Sequence, residues 1–234
     1  MSNLIVGLDL SFNSTGICLT TLDAENIAKE ISFYRVVYDN ETRKNAYVPK
    51  SVRNINTRTY TSPKYMTTDV LCIDGDDENN KEQIETTLRA MCASRQIFDV
   101  VYNYHQKHKH DFMIVSIENY VMPAFGGQNS LKNVSGLITL QAFVREMVLR
   151  YCNKNHVMIK MLTPSPTTLK KFFTGSGKAE KEDMMKSFIE NFNGKKLIPA
   201  VSEDTLKIVN DVVDAFALSY YAYGKLLKYK EIEL

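Results

Sequence analysis

A short apolar run near the beginning of the chain, LIVGLDL over residues 4–10, constrains the fold more than any other segment. Such a run, bounded by polar residues, is typical of a buried β-strand. Its single charged residue is Asp9. An unpaired carboxylate in a buried strand costs several kcal/mol or becomes protonated. The sequence therefore predicts a buried strand with an acid near its end that requires a partner.

The remaining segments alternate between strand-like and helix-like patterns. β-Branched and aromatic runs predict strands, and apolar residues three to four positions apart predict helices. Strands are expected at 3–10, 15–22, 30–38, 112–118 and 156–162, and long helices at 81–108, 133–153 and 204–228. The order indicates an α/β fold with a mixed five-stranded sheet flanked by helices. A meander followed by parallel strands is the arrangement of the ribonuclease H-like fold.

The length and composition are those of a globular protein. With 234 residues and 44% hydrophobic side chains, the chain is expected to form a single domain over residues 1–234. Residues 40–80 are polar and irregular, which predicts an insertion of loops or a small hairpin. No run of about 18 apolar residues is present, so no membrane span is expected. The absence of a signal peptide pattern and of CxxC pairs predicts a cytoplasmic protein with reduced thiols.

Basic residues are concentrated in one segment, although the net charge is only +2. Residues 42–68 contain no acid, and several tyrosines lie among their lysines and arginines. Basic and aromatic side chains together suit phosphate contact and base stacking. We therefore expect this segment to bind DNA through Arg43, Lys44, Arg53 and Arg58. The alternative interpretation is a solvated loop without a ligand.

Four acids lie in apolar surroundings at points that the predicted fold brings together. Asp9 is near the end of the first strand, and Glu118 ends the fourth. Asp211 and Asp214 share one face of the last helix. Carboxylates this close repel one another, and two hard divalent cations would relieve the repulsion and support phosphoryl displacement by water. The alternative for each acid taken singly is an ordinary solvated, capping or lysine-paired carboxylate.

Four segments, taken in order along the chain, match the motifs of one known family. They are GLDLSFNSTG (7–16), IVSIENY (114–120), GSGKAEKEDM (175–184) and NDVVDAFALS (210–219). On these segments the chain resembles the RuvC-like Holliday-junction resolvases. The separation between Asp9 and Glu118 is longer than we expect for compact bacterial members. The extra length between these two acids indicates an insertion. The divergence of the sequence from those members is typical of a bacteriophage version.

The resemblance implies a homodimer that binds a four-way DNA junction and serves DNA recombination and repair. Each protomer would nick one strand with Mg²⁺ or Mn²⁺, two ions per active site, and leave 5′-phosphate and 3′-hydroxyl ends. Two symmetric nicks suit a twofold dimer. Asp9 is expected to bridge the two metals, and the ligands that complete their coordination are expected to be Glu118, Asp211 and Asp214.

The resemblance also implies DNA contacts outside the acid cluster. Lys181 matches the basic residue that the family places near the scissile phosphate, and Lys178 precedes it in the same segment. The alternative for Lys181 is a surface lysine that pairs with a neighbouring glutamate. Family members place an aromatic residue after the fourth-strand glutamate, at the junction centre, and here Tyr120 and Phe125 are both candidates.

Two smaller clusters of polar residues are assigned structural roles. His105, His108 and His110 have a spacing that favours a solvated helix end over a zinc site, since a fourth ligand is missing. The turn after the first strand contains hydroxyl side chains that are expected to form turn hydrogen bonds, namely Ser11, Ser14 and Thr15. The alternative for these residues is phosphate binding.

Three other functions stay open at this point. A ribonuclease H-like nuclease acting on flaps, forks or RNA–DNA hybrids would use the same acids. A catalytically idle junction-binding protein would not need all four. A sugar kinase or actin-like ATPase also begins with an aspartate and a Ser/Thr-Gly turn, but it needs a second such domain, for which 234 residues are too few.

Overall fold

The computed structural model describes residues 2–38, 55–60, 78–119, 128–198 and 210–230. The strands are β1 (Asn3–Asp9), β2 (Ser14–Leu22), β3 (Ala28–Tyr38), β4 (Ile55–Tyr60), β5 (Phe112–Ile117) and β6 (Met158–Leu162). The helices are α1 (Glu78–His108), α2 (Gln128–Lys154), α3 (Pro166–Thr174), α4 (Lys181–Asn191), α5 (Gly194–Leu197) and α6 (Asn210–Lys230). None of these helices is both long and apolar enough to cross a membrane.

The strands form one sheet that combines an antiparallel meander with parallel strands. The strand order is β4-β3-β2-β1-β5-β6. β2 is antiparallel to both β1 and β3, whereas β5 is parallel to both β1 and β6. Helices α1 and α2 pack on one face of the sheet, and α6 packs on the other. The mixed α/β, ribonuclease H-like fold that the sequence predicts is confirmed.

The predicted number of five strands is wrong, because β4 adds a sixth strand within the segment expected to contain loops or a small hairpin. β4 lies at the edge of the sheet and pairs in parallel with β3. Its exposed residues are Asn56, Thr57 and Thr59, so it contains no apolar run that would reveal a strand. The other residues of the segment that precede α1 lie outside the described residues.

Both faces of β1 are covered, which explains its unbroken apolar run. Leu4, Val6 and Leu8 belong to the core that β1 shares with α1 and α2. Ile5, on the opposite face, packs with Ala222 of α6. A strand buried on both faces carries apolar residues at successive positions rather than at alternate ones. Because side chains alternate along a strand, Asp9 lies on the same face as Ile5, which is the face that α6 covers.

Two glycines allow the backbone of α6 to lie directly against the sheet. A Cβ atom at Gly7 would lie 2.1 Å from the carbonyl oxygen of Ala215, and one at Gly16 would lie 2.0 Å from that of Asp211. A side chain at either position would force the helix away from the strands. Since Gly16 pairs with Asp9 in the sheet, the first turn of α6 is fixed beside Asp9.

Of the three histidines at positions 105, 108 and 110, two are buried, so the predicted solvated helix end is wrong for them. His105 and His110 are only 4% and 3% exposed. His105 donates from Nε2 to the carbonyl oxygen of His110 at 2.9 Å and accepts at Nδ1 from the hydroxyl of Tyr151 at 2.8 Å. Lys109 has a φ of 53°, which reverses the chain and returns His110 to the core. Residue spacing alone does not reveal this reversal.

Candidate active site

The ends of two neighbouring parallel strands place Asp9 and Glu118 side by side. Leu8 of β1 pairs with Ile117 of β5, and each acid follows immediately. The carbonyl oxygen of Glu118 accepts a hydrogen bond from Gln141 Nε2 of α2 at 2.8 Å. The carboxyl ends of parallel strands form an edge at which ligands commonly bind. The backbone of Glu118 is therefore held at the edge where β1 ends.

Helix α6 brings a third acid to the same place. Its first turn lies over Gly16, the pairing partner of Asp9. One turn further along, Asp214 lies beside the cleft that Asp9 and Glu118 line. Asp214 and Asp211 are three positions apart, which places them on one side of the helix. Asp214 is the member of this pair that reaches the cleft.

The three acids line a cleft of about 250 Å³ that also contains two lysines. Lys181 is the first residue of α4, and it is exposed. Lys170 belongs to α3 and is partly buried. The other lining residues are Pro166, Leu169, Met184 and Leu218. The cleft thus combines converging carboxylates with two cationic side chains on a largely apolar support.

The carboxyl groups of the cleft are in surroundings that favour protonation. Burial raises the pKa of Asp9 well above its usual value, the charge of Asp214 raises it further, and the charge of Lys181 lowers it. Burial, followed by the charge of Asp214, raises the pKa of Glu118 to about 7, while Lys170 opposes the shift. Burial also raises the pKa of Asp214 to about 6, against the charges of both lysines. A cation held among these groups would offset the repulsion that contributes to the shifts.

Asp211, the fourth acid predicted for the site, has other partners and does not line the cleft. Its Oδ2 accepts from Arg35 Nε at 2.9 Å and from the hydroxyl of Ser14. Its Oδ1 accepts from the backbone N–H of Val212 at 2.9 Å. Both oxygens are therefore engaged inside the protein, although the charge of Asp211 still raises the pKa of Asp9.

The turn after β1 forms the predicted hydrogen bonds at two of its three hydroxyl residues. Thr15 Oγ1 donates to the carbonyl oxygen of Ser11 at 2.9 Å and accepts from the Ser11 N–H at 3.1 Å. Ser14 instead contacts Arg35 and Asp211, so the prediction of a turn role for Ser14 is wrong. Its partners come from distant parts of the sequence, and local spacing does not identify them.

The predicted DNA-binding residues are distributed unevenly relative to the cleft. Lys181 lines it, whereas Lys178 is exposed and Arg58 of β4 is half-buried, and neither is among the lining residues. Lys181 makes no ion pair with Glu180 or Glu182 among the described residues. The remaining candidates lie outside the described residues, namely Arg43, Lys44, Arg53, Tyr120 and Phe125.

Lys170 is a cleft residue that the sequence analysis missed. Leu169 and Phe173, four positions apart, are both buried and mark the inner face of α3. Lys170 is at the margin of that face, whereas Lys171 is exposed. The helical spacing of the two apolar residues was the available signal, and it would have ranked Lys170 above Lys171 as a candidate.

The carboxylate oxygens that line the cleft are chemically suited to bind a hard divalent cation. Carboxylate oxygens are the ligands that Mg²⁺ and Mn²⁺ prefer, and Asp9, Glu118 and Asp214 each contribute one carboxylate. No described residue donates a hydrogen bond to any of these three carboxylates. In the described part of the chain, no group of three histidine, cysteine or acidic side chains already has metal-binding geometry.

Comparison with known proteins gives matches among solved structures. No protein-family model matches the chain, and no curated protein matches it in sequence. RuvC from Thermus thermophilus is 14% identical with a TM-score of 0.42, and the alignment covers 97% of this chain and 96% of that chain. RuvC of T. thermophilus in complex with Holliday junction substrate is 11% identical with a TM-score of 0.42, at 95% coverage of each chain.

A third match is the yeast mitochondrial Holliday junction resolvase Ydc2. It is 12% identical with a TM-score of 0.37, and the alignment covers 98% of this chain and 84% of that chain. This chain is similar in structure to RuvC. The sequence motifs resemble the same family.

Proposed function

We propose that this protein is a metal-dependent endonuclease that resolves four-way DNA junctions. The observation that carries the proposal is the convergence of Asp9, Glu118 and Asp214 with Lys170 and Lys181 in one cleft. These residues come from four elements and from the position that follows β5, and an acid-rich cleft that also holds lysines suits a phosphodiester with bound cations. The sequence motifs that resemble RuvC-like resolvases support the choice of DNA junctions as substrate.

The carboxylates of the cleft would hold the cations. Asp9, whose pKa is raised by burial and by the charges of Asp214 and Glu118, would hold the cations together with these two acids. Bound Mg²⁺ or Mn²⁺ would lower the pKa of a water molecule and neutralise charge on the scissile phosphate. To bind them, the three acids must first release the protons that their raised pKa values favour.

The two lysines would bind the phosphate of the substrate. Lys181 is exposed at the start of α4, where its ammonium group is accessible to DNA. Lys170 is less exposed and approaches the acids from α3. Fixed positive charges at the position where negative charge develops stabilise the transition state, because they need no reorganisation during the reaction.

A homodimer with two such clefts would place one nick in each of two opposed strands of the junction. The twofold symmetry of the dimer would match that of the substrate. Hydrolysis at each site would leave a 5′-phosphate and a 3′-hydroxyl. These features follow from the family that the sequence resembles, and they complete the proposal.

A cleavage assay tests the proposal. The wild-type protein, Glu118→Gln and the matched surface variant Glu146→Gln would be given a mobile four-way junction, a flap, a fork and a linear duplex. Each reaction would contain Mg²⁺, Mn²⁺ or EDTA. We expect paired symmetric nicks in the junction from the wild type and Glu146→Gln, and none with EDTA or with Glu118→Gln.

Three outcomes would contradict the proposal in different ways. Equal or better cleavage of flaps or forks would indicate a broader branched-DNA nuclease. Tight junction binding without cleavage would indicate a binding protein. No binding to any of the four DNAs would exclude a nucleic-acid function.

A further inference from the structure

The carboxylate of Asp211 is held by two residues of the sheet, away from the cleft. Arg35 of β3 donates from Nε to Asp211 Oδ2 at 2.9 Å and from Nη2 to Ser14 Oγ at 2.8 Å. The hydroxyl of Ser14 donates to the same Oδ2. The three side chains therefore form a closed hydrogen-bonded cluster, which we call the Arg35 latch.

Cross-strand pairing explains why Asp211 and Asp214 have different partners. Asp9, Gly16 and Arg35 form one row across β1, β2 and β3, because Gly16 pairs with both of the others. The backbone of Asp211 lies over Gly16, in the middle of this row. From that position the side chain of Asp211 reaches Arg35 on one side of the row, and Asp214 lines the cleft of Asp9 on the other.

The latch is buried, and each carboxylate oxygen of Asp211 already accepts at least one hydrogen bond. The side chains of Arg35 and Asp211 are 8% and 7% exposed. Val212 N–H occupies Oδ1, while Arg35 and Ser14 occupy Oδ2. If Asp211 turned toward the cleft, a buried guanidinium that cannot lose its proton would be left without an anion.

We propose that Asp211 is a positioning residue, whose ion pair in the Arg35 latch fixes the first turn of α6. Among the acids that the structure describes, Asp9, Glu118 and Asp214 would then hold the catalytic cations, and Asp211 would not. This inference rests on the proposed function, since it concerns the metal site of that reaction. It assigns Arg35 and Ser14 to the support of the site. It also distinguishes two aspartates that the sequence motif presents as equivalent.

Metal binding to folded variants tests the inference. Mn²⁺ binding would be measured by isothermal titration calorimetry on the wild type, Asp214→Asn and the double variant Arg35→Gln/Asp211→Asn. The double variant removes one charge of each sign, so the net charge is unchanged, and two amides replace the ion pair. We expect it to bind Mn²⁺ within about threefold of the wild type, since neutral replacement of a buried ion pair is often tolerated. Asp214→Asn should bind at least about tenfold more weakly.

Junction cleavage adds a kinetic measurement that separates positioning from ligation. Arg35→Gln alone leaves the buried Asp211 unpaired, and we expect a lower kcat with the KM for the junction unchanged. Addition of Asp211→Asn to Arg35→Gln should raise kcat again, because the two amides restore a neutral hydrogen bond. If Asp211 were a metal ligand, the second substitution would lower kcat further. Circular dichroism and melting curves would confirm that each variant is folded.

The outcomes distinguish this inference from the proposed function. If the double variant loses Mn²⁺ affinity as Asp214→Asn does, the inference is overturned while the proposed metal site stands. If the wild type itself binds no Mn²⁺, both are overturned. Retained Mn²⁺ binding together with rescue of kcat in the double variant supports the inference.

Discussion

At the scale of single residues, the surroundings of each acid determine what it can do. Asp9, Glu118 and Asp214 line a cleft, and their pKa values are raised by burial and mutual repulsion. Asp211 belongs to the same helix as Asp214 but forms an ion pair with Arg35. A carboxylate that is buried without a counter-charge favours either a proton or a cation, whereas one inside an ion pair is already satisfied.

Proton release should accompany metal binding. The pKa values of Glu118 and Asp214 are raised to about 7 and about 6, so these groups hold protons under mildly acidic conditions. Mn²⁺ affinity should therefore rise as the pH increases from about 5 to about 8. Titration calorimetry in buffers of different ionisation enthalpy would measure the protons released. In Glu118→Gln the number should fall, and an unchanged number would contradict the assignment of Glu118.

The raised pKa values of Glu118 and Asp214 also affect the stability of the metal-free protein, which should fall as the pH rises, whereas Mn²⁺ affinity should increase. Since the folded pKa values of these acids lie above the unfolded ones, their contribution to stability is present below about pH 4 and is lost as the pH rises to about 7. Addition of Mn²⁺ at pH 7.5 should therefore raise the melting temperature more than addition at pH 5. Equal increases at the two pH values would contradict this linkage.

Lys170 is expected to be required for cleavage, whereas its neighbour is not. Lys170 lines the cleft, while Lys171 is exposed on α3. Lys170→Ala should lower kcat by about a hundredfold, because it removes a fixed charge from the reacting phosphate. Lys171→Ala is the matched control and should change kcat by less than about threefold. Similar losses in both variants would indicate general DNA binding instead.

At the scale of elements, the contact of α6 with β1 and β2 places the acids together. Gly7 and Gly16 allow this contact, and the edge strand β4 supports the nearby turn. The hydroxyl of Tyr60 in β4 donates to the carbonyl oxygen of Phe12 at 2.7 Å. Arg89 of α1 donates from Nη2 to the same oxygen at 3.2 Å. The turn that follows Asp9 is therefore fixed from both α1 and β4.

Gly16→Ala should separate α6 from the sheet. The added Cβ would lie 2.0 Å from the carbonyl oxygen of Asp211, so the helix must move or the strand must bend. We expect the free energy of unfolding to fall by about 2–3 kcal/mol, because overpacking a closely packed contact typically costs this much. The control is Gly175→Asn, at a left-handed position with φ 86° and nothing near its Cβ. That control adds the backbone strain of a side chain at positive φ but no clash, so it should cost only about 1 kcal/mol, and chemical denaturation would measure both.

The buried histidines should make the α1–β5 connection sensitive to acid. Burial, followed by the charges of His105 and His108, lowers the pKa of His110 to about 4. The unfolded chain takes up this proton first, so stability is lost as the pH falls from about 6.5 to about 4. Relative to His110→Asn, the wild type should lose about 2 kcal/mol between pH 7 and pH 5. If the stability of the two proteins depended on pH in the same way, His110 would not be the source of the acid sensitivity.

At the scale of the whole molecule, the proposed activity requires two clefts that act on one junction. A supercoiled plasmid with an extruded cruciform tests this directly. A dimer that makes both nicks before dissociation should convert the plasmid to the linear form. A monomer should accumulate nicked circles. Analytical ultracentrifugation under the same conditions would report the oligomeric state, and a monomer that produces only nicked circles would contradict the homodimer.

The sequence by itself determined the order of the main elements and the acids of the cleft. The apolar run of β1 and the helical spacing of α6 are local patterns, and local patterns follow from burial and from backbone geometry. Asp9, Glu118 and Asp214 were identified in this way, Lys181 was identified through the resemblance to the resolvase family, and all four line the cleft. The edge strand β4 was missed because an exposed edge requires no apolar run.

Only the tertiary structure decided which side chains are partners. The Arg35 latch joins residues from β2, β3 and α6, and the buried histidines depend on a chain reversal at Lys109. Helical spacing ranks Lys170 above Lys171, but only the packing of α3 shows that Lys170 lines the cleft. The physical reason is that a charged group responds to the counter-charges and solvent around it in space. Those surroundings are set when distant segments pack together, and the spacing of residues along the chain does not encode them.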